Sequence, residues 1–128
     1  KDLQKRCQIV ENVDPDVTIS IHQNSYSDAG ISGAQVFYYS TSEKSRLLAE
    51  QLQEKLVSVV DPTNHRAAKA NDSYYMLRKT VSPTVIVECG FLSNEKECEK
   101  LQEEKYQDKI VEAIYQGIVT FAQMQESN

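Results

Sequence analysis

Two short stretches carry residues whose types suit chemistry. Val17-Thr18-Ile19-Ser20-Ile21 runs into His22-Gln23-Asn24-Ser25, and Thr84-Val85-Ile86-Val87 runs into Glu88-Cys89-Gly90-Phe91-Leu92-Ser93-Asn94. In each, a β-branched run of strand length leads to one side chain able to bind a metal or move a proton. A carboxyl at a strand end among apolar neighbours is partly desolvated, which suits a general acid or base. An imidazole beside such a carboxylate suits metal-assisted hydrolysis, with the histidine binding zinc and the carboxylate moving protons. Taken singly, each has a plain structural alternative. A strand-end glutamate often just faces solvent, and a lone histidine is more often a packed side chain than a ligand. The matched placement of His22 and Glu88 gives the functional reading its weight.

The elements that must position these two groups follow from the hydrophobic pattern. Residues 2–13 read as a helix, with Leu3, Cys7 and Val10 at helical spacing. Asp14-Pro15-Asp16 breaks it, and residues 17–21 form a buried strand. Residues 25–32 are small and polar, a loop with Gly30 as its turn. Gly33–Tyr39 is a second strand. Ser40 and Glu43 have capping-box spacing before a helix over 43–59, whose Leu48, Leu52 and Leu56 lie on one stripe. Residues 64–73 read as a loop carrying Arg66 and Lys69, and Tyr74–Arg78 as a third short strand. Asn94 and Glu97 start a short helix to about Leu101. A last helix over 106–124 places Ile110, Val111, Ile114, Ile118, Phe121 and Ala122 on one face.

Strands alternating with helices give an α/β fold, a mostly parallel sheet covered by helices on both faces. In such sheets ligands bind beyond the carboxyl ends of the strands, so His22 and Glu88 are expected to face one cleft. A chain of 128 residues fits one domain spanning residues 1–128. The net charge is −5 with scattered Lys and Arg, which argues against nucleic acid or an anionic membrane as the main partner. Three cysteines with no CxxC spacing make a disulfide framework an unsuitable reading.

The segment Ser20-Ile21-His22-Gln23-Asn24, then Gly33 and an aromatic-rich strand, then Val87-Glu88-Cys89-Gly90-Phe91-Leu92-Ser93-Asn94, resembles the zinc-dependent N-acetylmuramoyl-L-alanine amidases. More narrowly, it is similar to the spore-cortex type of that family. There a strand ends in an S-I-H-x-N segment whose histidine binds zinc, and a later V-E-x-G-F-L-S-N segment supplies the catalytic glutamate. Both match here residue by residue and in order, and the resemblance covers essentially the whole chain.

The resemblance implies that His22 is a zinc ligand and Glu88 the catalytic residue. It implies hydrolysis of the amide between the muramic acid lactyl group and the L-alanine of the stem peptide, in spore cortex maturation outside the cytoplasm. Peptidoglycan stem peptide and glycan are the expected partners, with an activator protein as a further one. Asn24 and Arg66 are candidate substrate contacts, although a turn residue and a solvated loop charge explain them equally well. Tyr38, Tyr39, Tyr74 and Tyr75 suit either sugar stacking or packing.

One departure matters. The family binds zinc through two histidines and one glutamate, the first histidine in a D-x-G-H-G segment near the domain start and the glutamate soon after. Neither segment is in this sequence, and His65 matches no ligand position. The chain is therefore expected to be the C-terminal part of an N-terminally truncated domain. With one ligand of three it is expected to hold zinc weakly. The alternative is a non-catalytic wall-binding or regulatory module on the same fold. A generic α/β hydrolase or phosphatase lacks support, since there is no G-x-S-x-G elbow and no Gly-rich phosphate loop.

Overall fold

A computed structural model of the chain describes residues 2–24, 32–80, 82–91 and 94–126. Most of the loop expected over 25–32, with its turn at Gly30, lies outside these residues, as do Leu92, Ser93 and the last two positions. The elements in order are α1 (Asp2–Val13), β1 (Thr18–Asn24), β2 (Gln35–Tyr38), α2 (Glu43–Lys55), β3 (Lys69–Ala70), α3 (Tyr75–Lys79), β4 (Thr84–Phe91), α4 (Glu95–Leu101) and α5 (Glu104–Glu126). Helix α2 ends in a π-helical turn over Leu56–Val60.

The four strands form one sheet in the order β1-β4-β2-β3. The β1–β4 and β2–β3 pairs are parallel and the β2–β4 pair is antiparallel, so the sheet is mixed. Strand β4 is buried along its whole length. That explains the unbroken Thr84-Val85-Ile86-Val87 run, because a strand covered on both faces has no polar side to show.

The main core lies on one face of the sheet. Val36 of β2 and Val85, Val87 and Cys89 of β4 pack there against Leu48, Ala49 and Leu52 of α2 and Ala113, Ile114 and Phe121 of α5. Leu48, Leu52 and Leu56 recur every four residues and are fully buried. Burying each is worth about 1.5–3 kcal/mol relative to leaving it in water. Two buried polar side chains lock α2 onto the sheet. Gln53 accepts from Val36 N–H at 2.9 Å and donates to the Ala34 carbonyl at 3.1 Å. Ser45 Oγ accepts from Thr84 N–H at 3.0 Å, fixing where β4 begins.

Several expectations change. Tyr74–Arg78 is not a strand: Tyr75–Lys79 forms α3, with Met76 and Leu77 buried. The paired tyrosines have strand propensity, but Met, Leu, Arg and Lys are better helix formers, and one helical turn buries Met76 and Leu77 together. The only strand pairing in the 64–73 stretch is β3. The helix cap at α2 is Ser42 rather than Ser40, its hydroxyl accepting from Ser45 N–H. On α5, Val111 is 66% exposed and Ala122 is exposed, so the buried stripe is Ile110, Ala113, Ile114, Gly117 and Phe121. Strand β1 is only partly buried rather than buried throughout, with Ile21 58% exposed on an edge strand. Among the described residues no helix is long and apolar enough to cross a membrane.

Candidate active site

His22 and Glu88 are Cα partners on the adjacent parallel strands β1 and β4. The faces follow from alternation. Val85, Val87 and Cys89 point into the core beneath α2 and α5, and Val17 and Ile19 pack against it. Glu88, and with it Ser20 and His22, therefore point to the opposite face. Neighbouring strands lie about 4.8 Å apart, and in-register residues of a parallel pair share a face, so the imidazole and the carboxyl are neighbours. Both sit within the last few residues of strands running the same way. Neither ends its strand, however: β1 continues to Asn24 and β4 to Phe91, with a register irregularity between His22 and Asn24.

Each group has a defined setting. Nε2 of His22 lies 2.8 Å from Ser20 Oγ, two residues earlier on the same face. That contact orients the ring through one nitrogen and leaves the other for a ligand, the arrangement in which an outer group holds a metal-binding imidazole. Glu88 is 4% exposed. Its Oε1 accepts from the Tyr74 hydroxyl at 3.2 Å. Its Oε2 is buried and has no hydrogen-bond partner among the described residues. Leaving a carboxylate oxygen in that state costs free energy that a bound water, proton or ligand would recover.

On the other side of Glu88, its antiparallel partner is Gln35. Gln35 Oε1 accepts from Arg66 Nη1 at 2.7 Å, and Arg66 Nε donates to the Ser32 carbonyl at 2.8 Å. The guanidinium also lies 4.9 Å from the Phe91 ring centroid, within cation–π range. Arg66 is thus part of a built arrangement one strand from Glu88, not a free loop charge. Asn24 pairs with Phe91 at the end of the β1–β4 ladder, and its side chain lies outside what the structure describes.

Two residues near the site carry more than their spacing suggested. Glu97 was expected only as the partner of Asn94, and Asn94 Oδ1 does accept from Glu97 N–H at 3.1 Å. The Glu97 carboxylate instead turns inward, where Oε1 accepts from Phe91 N–H at 2.6 Å and Oε2 from Gly33 N–H at 2.8 Å. It ties the end of β4 to the approach to β2. Gly33 has φ +102°, a conformation glycine adopts without strain, and a Cβ there would meet Asn64 Oδ1 at 2.7 Å. Tyr74 reaches Glu88 only because Tyr75–Lys79 is helical, so a strand reading of that stretch hid it.

A groove of about 410 Å³ opens beside His22, lined by Ile21, Cys89, Leu101, Ile110, Val111 and Ile114. Most of these side chains lie on the core side of the sheet, and Glu88 does not line the groove. Among the described residues, no group of three or more His, Cys, Asp or Glu side chains is placed to hold a metal ion. The chain's donor set fits zinc only in part, through one oriented imidazole next to a buried carboxylate, whereas a catalytic zinc takes three protein ligands.

The fold and this pair define an α/β protein with an imidazole–carboxylate site near the carboxyl ends of two adjacent parallel strands. The chain belongs to the N-acetylmuramoyl-L-alanine amidase family (Amidase_3), whose model matches residues 1–120. It is similar to the germination-specific N-acetylmuramoyl-L-alanine amidase of Bacillus subtilis, at 34% identity over 94% of this chain and 51% of the relative. Among solved structures, it superposes on the CwlD amidase from Clostridioides difficile, determined in complex with the GerS lipoprotein. The TM-score is 0.93 at 43% identity, covering 95% of this chain and 62% of that one. A second N-acetylmuramoyl-L-alanine amidase from Clostridium difficile 630 gives a TM-score of 0.88 at 31% identity, covering 94% and 65%. The chain thus spans about half the length of the curated relative and under two thirds of these solved chains.

Proposed function

We propose that the protein is a peptidoglycan hydrolase that cleaves the amide between N-acetylmuramic acid and the L-alanine of the stem peptide, in spore cortex maturation. The observation that carries this reading is the in-register pair His22 and Glu88, with Glu88 Oε2 buried and without a partner among the described residues. Family membership and the similarity to a germination-specific amidase support the substrate and the setting.

Glu88 acts as the general base. Its Oε2 takes the proton from the attacking water and then passes it to the leaving amino group of L-alanine. Burial of the carboxylate keeps bulk water from competing for that proton. His22, its ring oriented by Ser20, would contribute one imidazole ligand to a zinc ion, which takes further protein ligands in a catalytic site. A zinc ion held there would supply Lewis-acid chemistry, polarising the scissile carbonyl and lowering the pKa of a water. Arg66, held by Gln35, Ser32 and Phe91, presents its guanidinium next to the site as a contact for substrate oxygens or the stem-peptide carboxylate. Asn24 is a second such contact. The activity is extracytoplasmic, in the cell wall or cortex. A protein activator is a reasonable partner, because the CwlD relative was solved in complex with a lipoprotein.

The absence of a three-ligand metal cluster among the described residues favours a second reading, a non-catalytic wall-binding or regulatory module on the amidase fold. One experiment separates the two. The full-length protein is incubated with purified cortex peptidoglycan, and new L-alanine amino termini and new reducing sugars are measured. The proposal predicts release of amino termini without reducing ends. Binding to peptidoglycan with neither product supports the module, and reducing ends alone would make the protein a glycosidase.

A further inference from the structure

Tyr74 stands where nothing in the chain's own helix requires it. It is the residue just before α3, in extended conformation with φ −71° and ψ 123°, and its side chain makes no capping hydrogen bond. Its ring is held edge-on by Phe37, centroids 5.8 Å apart at an interplanar angle of 66°. Phe37 pairs with Ile86 on β4, two residues before Glu88 and on the same sheet face. The aromatic contact therefore aims the phenol tip along β4 toward Glu88, and the hydroxyl lies 3.2 Å from Oε1.

We propose that Tyr74 is a positioning residue: its hydroxyl holds Glu88 Oε1 and so presents Oε2 as the oxygen that exchanges protons with substrate and water. The two carboxylate oxygens are inequivalent, since one has a donor and the other is buried without a partner among the described residues. A carboxylate tied through one oxygen loses much of its rotation about the terminal torsion, which otherwise has a broad, soft profile. Such restraint keeps the reacting oxygen in line with its target. The phenol is suited to remain the donor, because burial first and the Glu88 charge second push its ionisation above the ordinary tyrosine range. A positioning role also accounts for tyrosine here where phenylalanine would satisfy the packing against Phe37.

This inference rests on Glu88 being the base, and the test keeps the two claims apart. Turnover of cortex muropeptides is measured for the full-length wild-type enzyme and for Glu88→Gln, Tyr74→Phe, Glu88→Asp and the Tyr74→Phe/Glu88→Asp double variant. Zinc content and melting temperature are recorded for each. A dead Glu88→Gln establishes the base. Tyr74→Phe keeps the ring, so zinc content and melting temperature should match wild type. Its kcat should fall about 10- to 100-fold, the rate equivalent of one hydrogen bond to a charged group, with KM within about twofold. Aspartate draws the carboxyl back from the phenol, so Tyr74→Phe should add little to Glu88→Asp. Wild-type kcat in Tyr74→Phe alongside a dead Glu88→Gln overturns the Tyr74 role and leaves the base standing. A rise in KM alone, or an equal loss in both backgrounds, also overturns it, since those results mean substrate contact or general packing.

Discussion

His22 and Glu88 sit side by side as Cα partners across the β1–β4 ladder, although about half of the chain lies between them. Their meeting depends on register. Thr18 pairs with Thr84 and the ladder stays in step for five residues up to His22. A one-residue slip would turn one of the two to the α5 side of the sheet. What fixes the register is burial on the core face, where Ile19, Val85 and Val87 all need cover. The site is thus positioned by packing on the face it does not occupy.

That packing gives a first prediction at Gly117, where α5 crosses α2. A Cβ there would lie 2.7 Å from Leu52 Cδ2 and 3.0 Å from Leu52 Cα. Alanine is the better helix former by about 1 kcal/mol, so propensity alone favours Gly117→Ala. The contact to backbone atoms cannot be relieved by a rotamer change, and overpacking costs about 1–3 kcal/mol. The contact should win. Thermal unfolding of Gly117→Ala is expected to begin below wild type, and a raised melting temperature would mean that α5 sits further from α2.

Glu97 should matter more to stability than a helix-start residue usually does. Glu97→Ala leaves the N–H groups of Gly33 and Phe91 buried without acceptors, at about 1–3 kcal/mol each. A loss of about 3 kcal/mol or more is expected in urea unfolding. Glu97→Gln keeps one acceptor oxygen and should lose less. Equal losses for the two variants would show that the side chain acts through packing.

How far the sequence disclosed all this depends on the element. The long apolar run before Glu88, the leucine stripe of α2 and the Asn94 cap were legible because each rests on local spacing. The Val17–Ile21 run was legible as a strand but not as an edge strand, since an alternating Ile-Ser-Ile segment does not say how many neighbours it has. Tyr74 was out of reach by spacing. Its contact with Glu88 needs the turn at Asn71–Ser73, where Ser73 N–H and hydroxyl both bond Asn71 Oδ1, and the switch to helix at Tyr75. Glu97 was visible as a helix-start carboxylate, but its reach to Gly33 depends on tertiary structure that no motif records.

Cys89 offers a test of burial next to the candidate base. Burial first, and the Glu88 charge second, push its thiol up to about 11 from an ordinary value of 9.0. The fold favours the neutral thiol. Its contribution to stability is therefore present below about pH 9 and lost as pH rises through about 11. At pH 8 only about one thousandth of it is thiolate, the reactive form. Iodoacetamide should leave Cys89 unmodified in the folded protein and label it once urea is added. Rapid labelling of the native protein would contradict the described packing.

For His22→Ala the proposed site predicts that activity and zinc fall together in the full-length protein, because an imidazole ligand is removed outright. Elemental analysis after dialysis measures it. Ser20→Ala, which removes only the group orienting the ring, should weaken zinc about 10- to 100-fold rather than abolish binding. Zinc held at wild-type level by His22→Ala would remove His22 from the site.

The most direct measurement on the central claim is turnover of cortex muropeptides by Glu88→Gln in the full-length protein. Glutamine matches glutamate in size and still accepts a hydrogen bond from Tyr74, but it cannot take a proton from water. The rate should fall about 100- to 10,000-fold, with zinc content and melting temperature unchanged. Turnover near the wild-type rate in that variant would show that Glu88 is not the general base.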